Sequence, residues 1–273
     1  MKIVLLDLDN TLIDADYNLT SSEDELRLVA RELAKRDVHI GLCSDSAVVT
    51  LRQWTKRLEF SGPIIAERGA VIWNSVLRRE EVLEPSATEW FRELRELFVK
   101  KISQDFPGAT IMLGDATRFV KDRPINSTLT SQIFAVNGFR VASFSFFACR
   151  PNQDRSSLVP DAELLALAGC IVAELVESLG KDKKNLFWDE NLKYGILIVH
   201  ALSTEKWRGV STLIDRLRPE QIIMVGDGMS DFLGLPNVMQ YAVANADPRY
   251  KEKSVFVSER SFTEGVMDCL RQL

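Results

Sequence analysis

Ile3-Val4-Leu5-Leu6-Asp7-Leu8-Asp9-Asn10-Thr11-Leu12 opens the chain and decides how the rest of it is read. Four apolar residues in a row describe a strand buried on both faces, as in a parallel sheet. Two aspartates stand just past its end. Carboxylates in such a place are costly unless a cation meets them. The ligand crevice of an open α/β sheet lies at the carboxyl ends of its strands. The stretch therefore points acid groups toward the place where such sheets hold ligands.

Working outward, the pattern alternates. Ser22 and Glu25 form a capping-box pattern that predicts a helix running to about Arg36. His39 to Cys43 reads as a second strand, ending at Ser44-Asp45-Ser46. A helix over Val48 to Leu58 and a third strand, Ile64 to Ala66, follow, and Gly69 turns the chain into Val71-Ile72-Trp73. Alternating strands and helices imply a parallel sheet covered on both faces. The middle differs. A helix from Ser86 to Phe106, strands at Ala109–Leu113 and Ser143–Cys149, a helix from Ala162 to Leu179, and strands at Asn185–Trp188 and Gly195–Val199 give an α+β pattern with mostly antiparallel pairing. Lys121 to Thr130 is polar and reads as a loop. Alternation resumes with a helix over Thr204 to Leu217, strands at Gln221–Val225, Tyr241–Ala244 and Ser254–Val257, and a last helix after Ser261. The expectation is one α/β domain built from residues 1–78 and 202–273, with an α+β domain, residues 79–201, inserted into it.

The totals narrow the function. The 273 residues are 46% hydrophobic and 27% charged, an ordinary globular balance. A net charge of -5 argues against a nucleic-acid binder that works by bulk electrostatics. It also means that an anionic substrate must be met by local cations or a metal. Cys43, Cys149, Cys170 and Cys269 form no close pair of the kind that binds zinc or does redox work. They read as small apolar residues in a reducing cytoplasm, the expected compartment. The apolar run before Asp7 is too short for a signal peptide. No stretch approaches the ~20 apolar residues that span a bilayer. Neither a membrane nor a nucleic acid is expected as a partner, and the chain is expected to be a monomer or a homodimer.

Four places then stand at predicted strand ends or at a helix start: Asp7 with Asp9, Ser44, Lys206, and Asp227 with Asp231. Each alone has an ordinary structural use. A strand-end aspartate or serine caps helices, and acids at a helix start suit its dipole. Lys206 opposes the dipole at the start of its helix, a penalty that a bound anion would turn into a gain. Asp227 and Asp231, one helical turn apart, are expected to share a face.

Taken in order, these residues resemble the four motifs of the haloacid-dehalogenase-like phosphohydrolase superfamily. Asp7-Leu8-Asp9-Asn10-Thr11-Leu12 looks like the first motif, Leu42-Cys43-Ser44 the second, Lys206 the third, and Gly226-Asp227-Gly228-Met229-Ser230-Asp231 the fourth. Val243-Ala244-Asn245-Ala246 and Gly265-Val266 are similar to members that carry the larger α/β cap. The resemblance implies a Rossmann-like core, the inserted domain being a cap that selects substrate and closes over it about linkers near residues 79 and 201. It implies a Mg²⁺ site at Asp7, the backbone carbonyl of Asp9, and Asp227, with Asp231 ligating through water or orienting the other ligands. Asp7 would attack phosphorus to give an aspartyl-phosphate. Asp9 would protonate the leaving alcohol and then activate water. Ser44 and Lys206 would hold the phosphoryl oxygens, with contacts added by Asn10 or Thr11.

Two departures bear on substrate. Asp45-Ser46 stands where relatives with this cap often have Gly-Arg, and Ser230 where Asn is frequent. Ala66-Glu67-Arg68-Gly69-Ala70 resembles the Glu-Asn-Gly-like stretch of sucrose-phosphate and mannosyl-3-phosphoglycerate phosphatase-like members. The expected substrate is accordingly a small phosphorylated metabolite, a sugar phosphate or glycosyl-phosphoglycerate. Arg118, Lys121, Arg123, Arg140 and Arg150 are candidate cations of the insert. Trp188 and Trp207 are expected to be buried, and His39 and His200 to be structural. Two alternatives stay open: a phosphomutase of the phosphomannomutase type, and a non-catalytic binding or regulatory protein on the same scaffold. The mutually repelling carboxylates argue against the second.

Overall fold

The computed structural model describes residues 1–74, 79–122 and 130–273. The chain opens with β1 (Lys2–Leu6), α1 (Glu23–Lys35), β2 (Val38–Cys43), α2 (Val48–Arg57), β3 (Ile64–Ala66), β4 (Val71–Asn74) and β5 (Arg79–Val82). It continues with α3 (Pro85–Asp105), β6 (Thr110–Gly114), α4 (Ala116–Asp122), β7 (Ile133–Asn137), β8 (Ser143–Pro151), β9 (Leu158–Pro160), α5 (Ala162–Ser178), β10 (Leu186–Asn191) and β11 (Ile196–Ala201). It closes with α6 (Lys206–Leu217), β12 (Gln221–Gly226), β13 (Val238–Ala242), α7 (Pro248–Lys251), β14 (Phe256–Val257) and α8 (Phe262–Arg271). Two compact units result: Met1–Leu83 with Thr204–Leu273, and Glu84–Ser203.

The first unit is built on an eight-stranded sheet of order β14-β13-β12-β1-β2-β3-β4-β5. The strands from β14 to β3 run parallel; β4 and β5 are added antiparallel. Ile3 to Leu6 are wholly buried, as a strand covered on both faces requires. Leu6 lies opposite Leu42 on β2 and Val225 on β12. This register brings three chain exits, after Leu6, Cys43 and Gly226, to one edge of the sheet. In α1, Leu26, Ala30 and Leu33 form the buried stripe at helical spacing. Ser22 stands at its N-cap without a side-chain capping bond; the neighbouring Ser21 hydroxyl donates to Glu25 instead, at 3.4 Å.

Residues 79–82 correct the sequence reading. They were expected in the insert, but Arg79–Val82 pairs with β4 in the first sheet. Arg-Glu-Glu-Val lacks the apolar signal of a strand, and as an edge strand it keeps its charges toward solvent. Arg216 of α6 forms an ion pair with Glu81 there.

The second unit has a six-stranded sheet, β10-β11-β8-β7-β6 with β9 beside β8. Its pairing is antiparallel except between β6 and β7. One sheet face packs on α3 and α5. Phe98 sits at the centre of this core, 4.7 Å from the Phe146 ring and 5.1 Å from Phe144, with Leu94, Ile102, Leu165 and Val172 around it. β7 and α4 were not anticipated. Lys121 belongs to the end of α4, and Thr130 exchanges hydrogen bonds with Thr110. The rest of the expected loop, residues 123–129 with Arg123, lies outside the described residues.

Candidate active site

Asp7 is the first residue past β1, and its amide still donates to the Val225 carbonyl at 2.9 Å. That bond continues the sheet for one more step and fixes where the carboxylate starts. Lys206 is the first residue of α6. Its Nζ donates to Asp7 Oδ1 at 2.6 Å and to Asp231 Oδ1 at 2.5 Å. All three side chains are buried, at 6% exposure for Asp7 and Lys206 and 1% for Asp231. The dipole penalty read from the sequence is thus met by two carboxylates rather than left to solvent.

Asp231 does not lie one helical turn along a helix from Asp227. Met229–Asp231 is a single 3-10 turn. Asp231 folds back, and its Oδ2 accepts from the amides of Asp227 at 3.0 Å and Gly228 at 3.1 Å. Gly226 permits this: a Cβ there would stand 2.3 Å from that same oxygen. Asp231 therefore holds both the lysine and the loop that presents Asp227. Asp227 is half-buried and accepts from the Thr11 hydroxyl at 3.2 Å. Ligand oxygens of Asp7, Asp227 and Asp231 all lie within 4.8 Å of one another.

The charges explain the titration. Burial pushes the Asp7 carboxyl well above the usual range; the Lys206 ammonium pulls against it, and Asp231 and Asp227 add to the rise. Burial and then the Asp231 charge push Asp227 up to about 6. Burial opposes the charged form of Lys206, but Asp231 and Asp7 outweigh it and hold the ammonium well above its ordinary value. Three carboxyls thus carry more negative charge than one lysine compensates. An all-oxygen donor set with that imbalance fits a hard divalent cation, which would keep the acids ionised.

The other expected residues fall nearby in different roles. Asp9 is half-buried, and its Oδ2 accepts from the Ser46 hydroxyl at 3.4 Å. It is not among the carboxylates that cluster with Asp7. Ser44 is buried past the end of β2; its amide donates to Ile65 and its Oγ accepts from the Ser46 amide at 3.1 Å. Asn10 has a left-handed backbone, φ 60°, and its carbonyl accepts from Asn245 at 2.7 Å. The Thr263 hydroxyl donates to the Leu12 carbonyl at 2.6 Å. The C-terminal segment thus pins the loop after β1. Thr11, expected at the phosphate, spends its hydroxyl on Asp227. Cys43 lies behind the cluster, its thiol pushed by burial to about 12, which keeps it unreactive.

Outside this cluster the outcome is mixed. Trp207 was expected buried but is 42% exposed, its indole donating to Glu205. Trp188 is half-buried in the insert, His200 is buried in β11, and His39 on β2 faces Ser61 and Asp37. Arg140 is buried and donates to Ser143, whereas Arg118, Lys121 and Arg150 are exposed. Sequence reasoning missed the bonds of Asn245, Thr263 and Ser46 to the loop after β1. Single polar side chains reaching distant carbonyls leave no periodic signal.

A largely parallel sheet with an acid cluster at the carboxyl ends of its strands is an α/β scaffold with its chemistry-bearing groups where such sheets hold ligands. The match to known families agrees: the haloacid dehalogenase-like hydrolase model spans residues 4–270, and the chain belongs to that family. A curated relative from Bacillus subtilis (strain 168), 5-amino-6-(5-phospho-D-ribitylamino)uracil phosphatase YcsE, is 21% identical over 99% of this chain and 95% of its own length. Among solved structures, Thermoplasma acidophilum 0175 superposes with TM-score 0.64 at 18% identity, covering 100% of this chain and 97% of that one. A haloacid dehalogenase-like hydrolase from Bacteroides thetaiotaomicron gives 0.63 at 18% identity, covering 99% and 98%. Family membership and the relative named as a phosphatase support a phosphoric monoester hydrolase. Among the described residues, no helix is long and apolar enough to cross a membrane.

Proposed function

We propose that this protein is a Mg²⁺-dependent phosphatase that hydrolyses a small phosphorylated metabolite through an aspartyl-phosphate on Asp7. The observation that carries the reading is the buried Asp7 carboxylate at the end of β1, bonded to Lys206 at 2.6 Å with Asp227 and Asp231 beside it. Asp7, the Asp9 carbonyl and Asp227 would hold the ion, with Asp231 shaping the loop. When bound, it would offset charge on the phosphoryl group and on the attacking acid.

The chain's own residues supply the rest. Lys206 holds Asp7 Oδ1, which leaves the second carboxylate oxygen to attack phosphorus in line with the leaving alcohol. The Ser44 hydroxyl accepts from the Ser46 amide and keeps its own proton to donate to a phosphoryl oxygen. The Lys206 ammonium offsets charge that grows in the transition state. Asp9, with the Ser46 hydroxyl on its Oδ2, donates a proton to the alcohol as the P–O bond breaks. It then takes a proton from the water that attacks the acyl phosphate, returning Asp7 and releasing inorganic phosphate.

The substrate class is a phosphorylated sugar, sugar alcohol or glycosyl-phosphoglycerate. The relative's name, which places the phosphate on a ribityl chain, supports such a polyol ester. The test is phosphate release across sugar phosphates, glycosyl-phosphoglycerates and the phosphoribitylamino uracil, with Mg²⁺ and with chelator. We expect turnover that chelator abolishes and that Asp7→Asn lowers by at least about 10³-fold with the native fold retained by circular dichroism. Normal turnover by Asp7→Asn would refute the nucleophile.

A further inference from the structure

The turn after β3 is unusual. Glu67 and Arg68 both have left-handed backbones, φ 49° and 58°, and Gly69 follows at φ 93°. Two consecutive non-glycine residues in that region persist only where the surroundings impose them. Here they do so from two sides. On one side, the Glu67 amide donates to the Ser46 carbonyl at 3.1 Å and the Arg68 amide to the Ser44 carbonyl at 3.4 Å. On the other, Arg68 Nε donates to the Thr204 carbonyl at 3.1 Å, two residues before Lys206. Gly69 presses on the same place: a Cβ there would stand 2.2 Å from the Glu205 carbonyl oxygen and 3.1 Å from Lys206 Cα. The turn thus ties the Ser44 loop to the start of α6.

Glu205, at the N-cap of α6, makes no side-chain capping bond. The Arg208 amide and the Trp207 indole bind Glu205 itself, while the Lys206 side chain must reach two carboxylates at once. We infer that Arg68 is a positioning residue for Lys206, clamping the Thr204 carbonyl so that the ammonium is held between Asp7 and Asp231. The turn is the piece of sequence likened above to Glu-Asn-Gly, with arginine in the place of asparagine, so the long donor to Thr204 belongs to this chain's own sequence. The effect on turnover rests on the phosphatase reading; the clamp itself does not.

Two readouts separate them. The first is the rate at which acetic anhydride labels Lys206, followed by mass spectrometry, with exposed Lys2 and Lys35 as internal references. Arg68→Met keeps an unbranched stem and removes the donor. It is expected to raise Lys206 labelling at least about fivefold with the references unchanged, and Arg68→Lys to return it toward wild type. The second is kinetics on whichever ester the panel yields: Arg68→Met lowers kcat about tenfold and changes KM less than about threefold, the signature of a displaced group. Arg68→Gly, which suits the left-handed backbone, repeats both arms if the methionine variant folds poorly. Lys206 labelling within twofold of wild type in the donor-less variants overturns the clamp, whatever the kinetics. Raised labelling in a protein that turns over no ester would uphold the clamp and sink the phosphatase reading.

Discussion

Asp231 spends both oxygens inside the protein, one on Lys206 and one on the amides of Asp227 and Gly228. Its removal should therefore damage structure and chemistry together. Asp231→Ala is expected to cost about 2 to 4 kcal/mol in urea melts, because it strips a buried ammonium of one partner and two amides of their acceptor; a loss below about 1 kcal/mol would show that the loop holds itself. The raised acids also set a pH dependence. Asp227 titrates near 6 in the folded chain against about 4 in an unfolded one. Between those values the native state binds more protons than the unfolded, so stability without divalent ion falls as pH rises from about 4 to about 7. Asp7, raised in the same direction, adds to the fall. Mg²⁺ should flatten this slope, which melts at several pH values with and without chelator would read; equal slopes would argue against an ion at these acids. At this scale the sequence was informative where chemistry demands a residue type: Asp7, Lys206, Asp227 and Asp231 were all named and are drawn together. Its limit was geometry. The spacing of Asp227 and Asp231 suits a helical face, and only the backbone shows that Asp231 turns back to cap its own loop.

Among the elements, legibility followed burial. β1 and β12 are carried by continuous apolar runs, and β2 by one broken only at His39, because both faces of the sheet are covered there, and such runs are readable. β5 carries two glutamates and an arginine and is held by backbone pairing at a sheet edge, so no apolar period marks it. β7 is fully buried, but Ile-Phe-Ala-Val-Asn is short and follows a polar stretch that reads as loop. α3 was legible, though it begins at Pro85 rather than after Ser86, proline being suited to the first turn. This helix also offers a test of the second core. Phe98 is wholly buried among Phe134, Phe144 and Phe146. Phe98→Ala is expected to cost about 3 to 5 kcal/mol, measured by denaturant unfolding of the full chain; a cost under about 1 kcal/mol would mean that the core collapses around the gap.

For the whole molecule, the division into units has a direct consequence. Glu84–Ser203 is contiguous and owns a separate hydrophobic core. Expressed alone, residues 84–203 should give a single cooperative thermal transition by circular dichroism; a gradual, non-cooperative melt would show that this unit depends on the other. The first unit has the opposite character, since Ile3 pairs with Ile222 and the intervening segment must be made before they can meet. During synthesis β1 therefore waits with one edge bare while some two hundred residues leave the ribosome. Throughout that interval a sticky strand is open to chaperones and to neighbouring nascent chains. Crowded, rapid overproduction should thus be the condition under which this protein most readily aggregates.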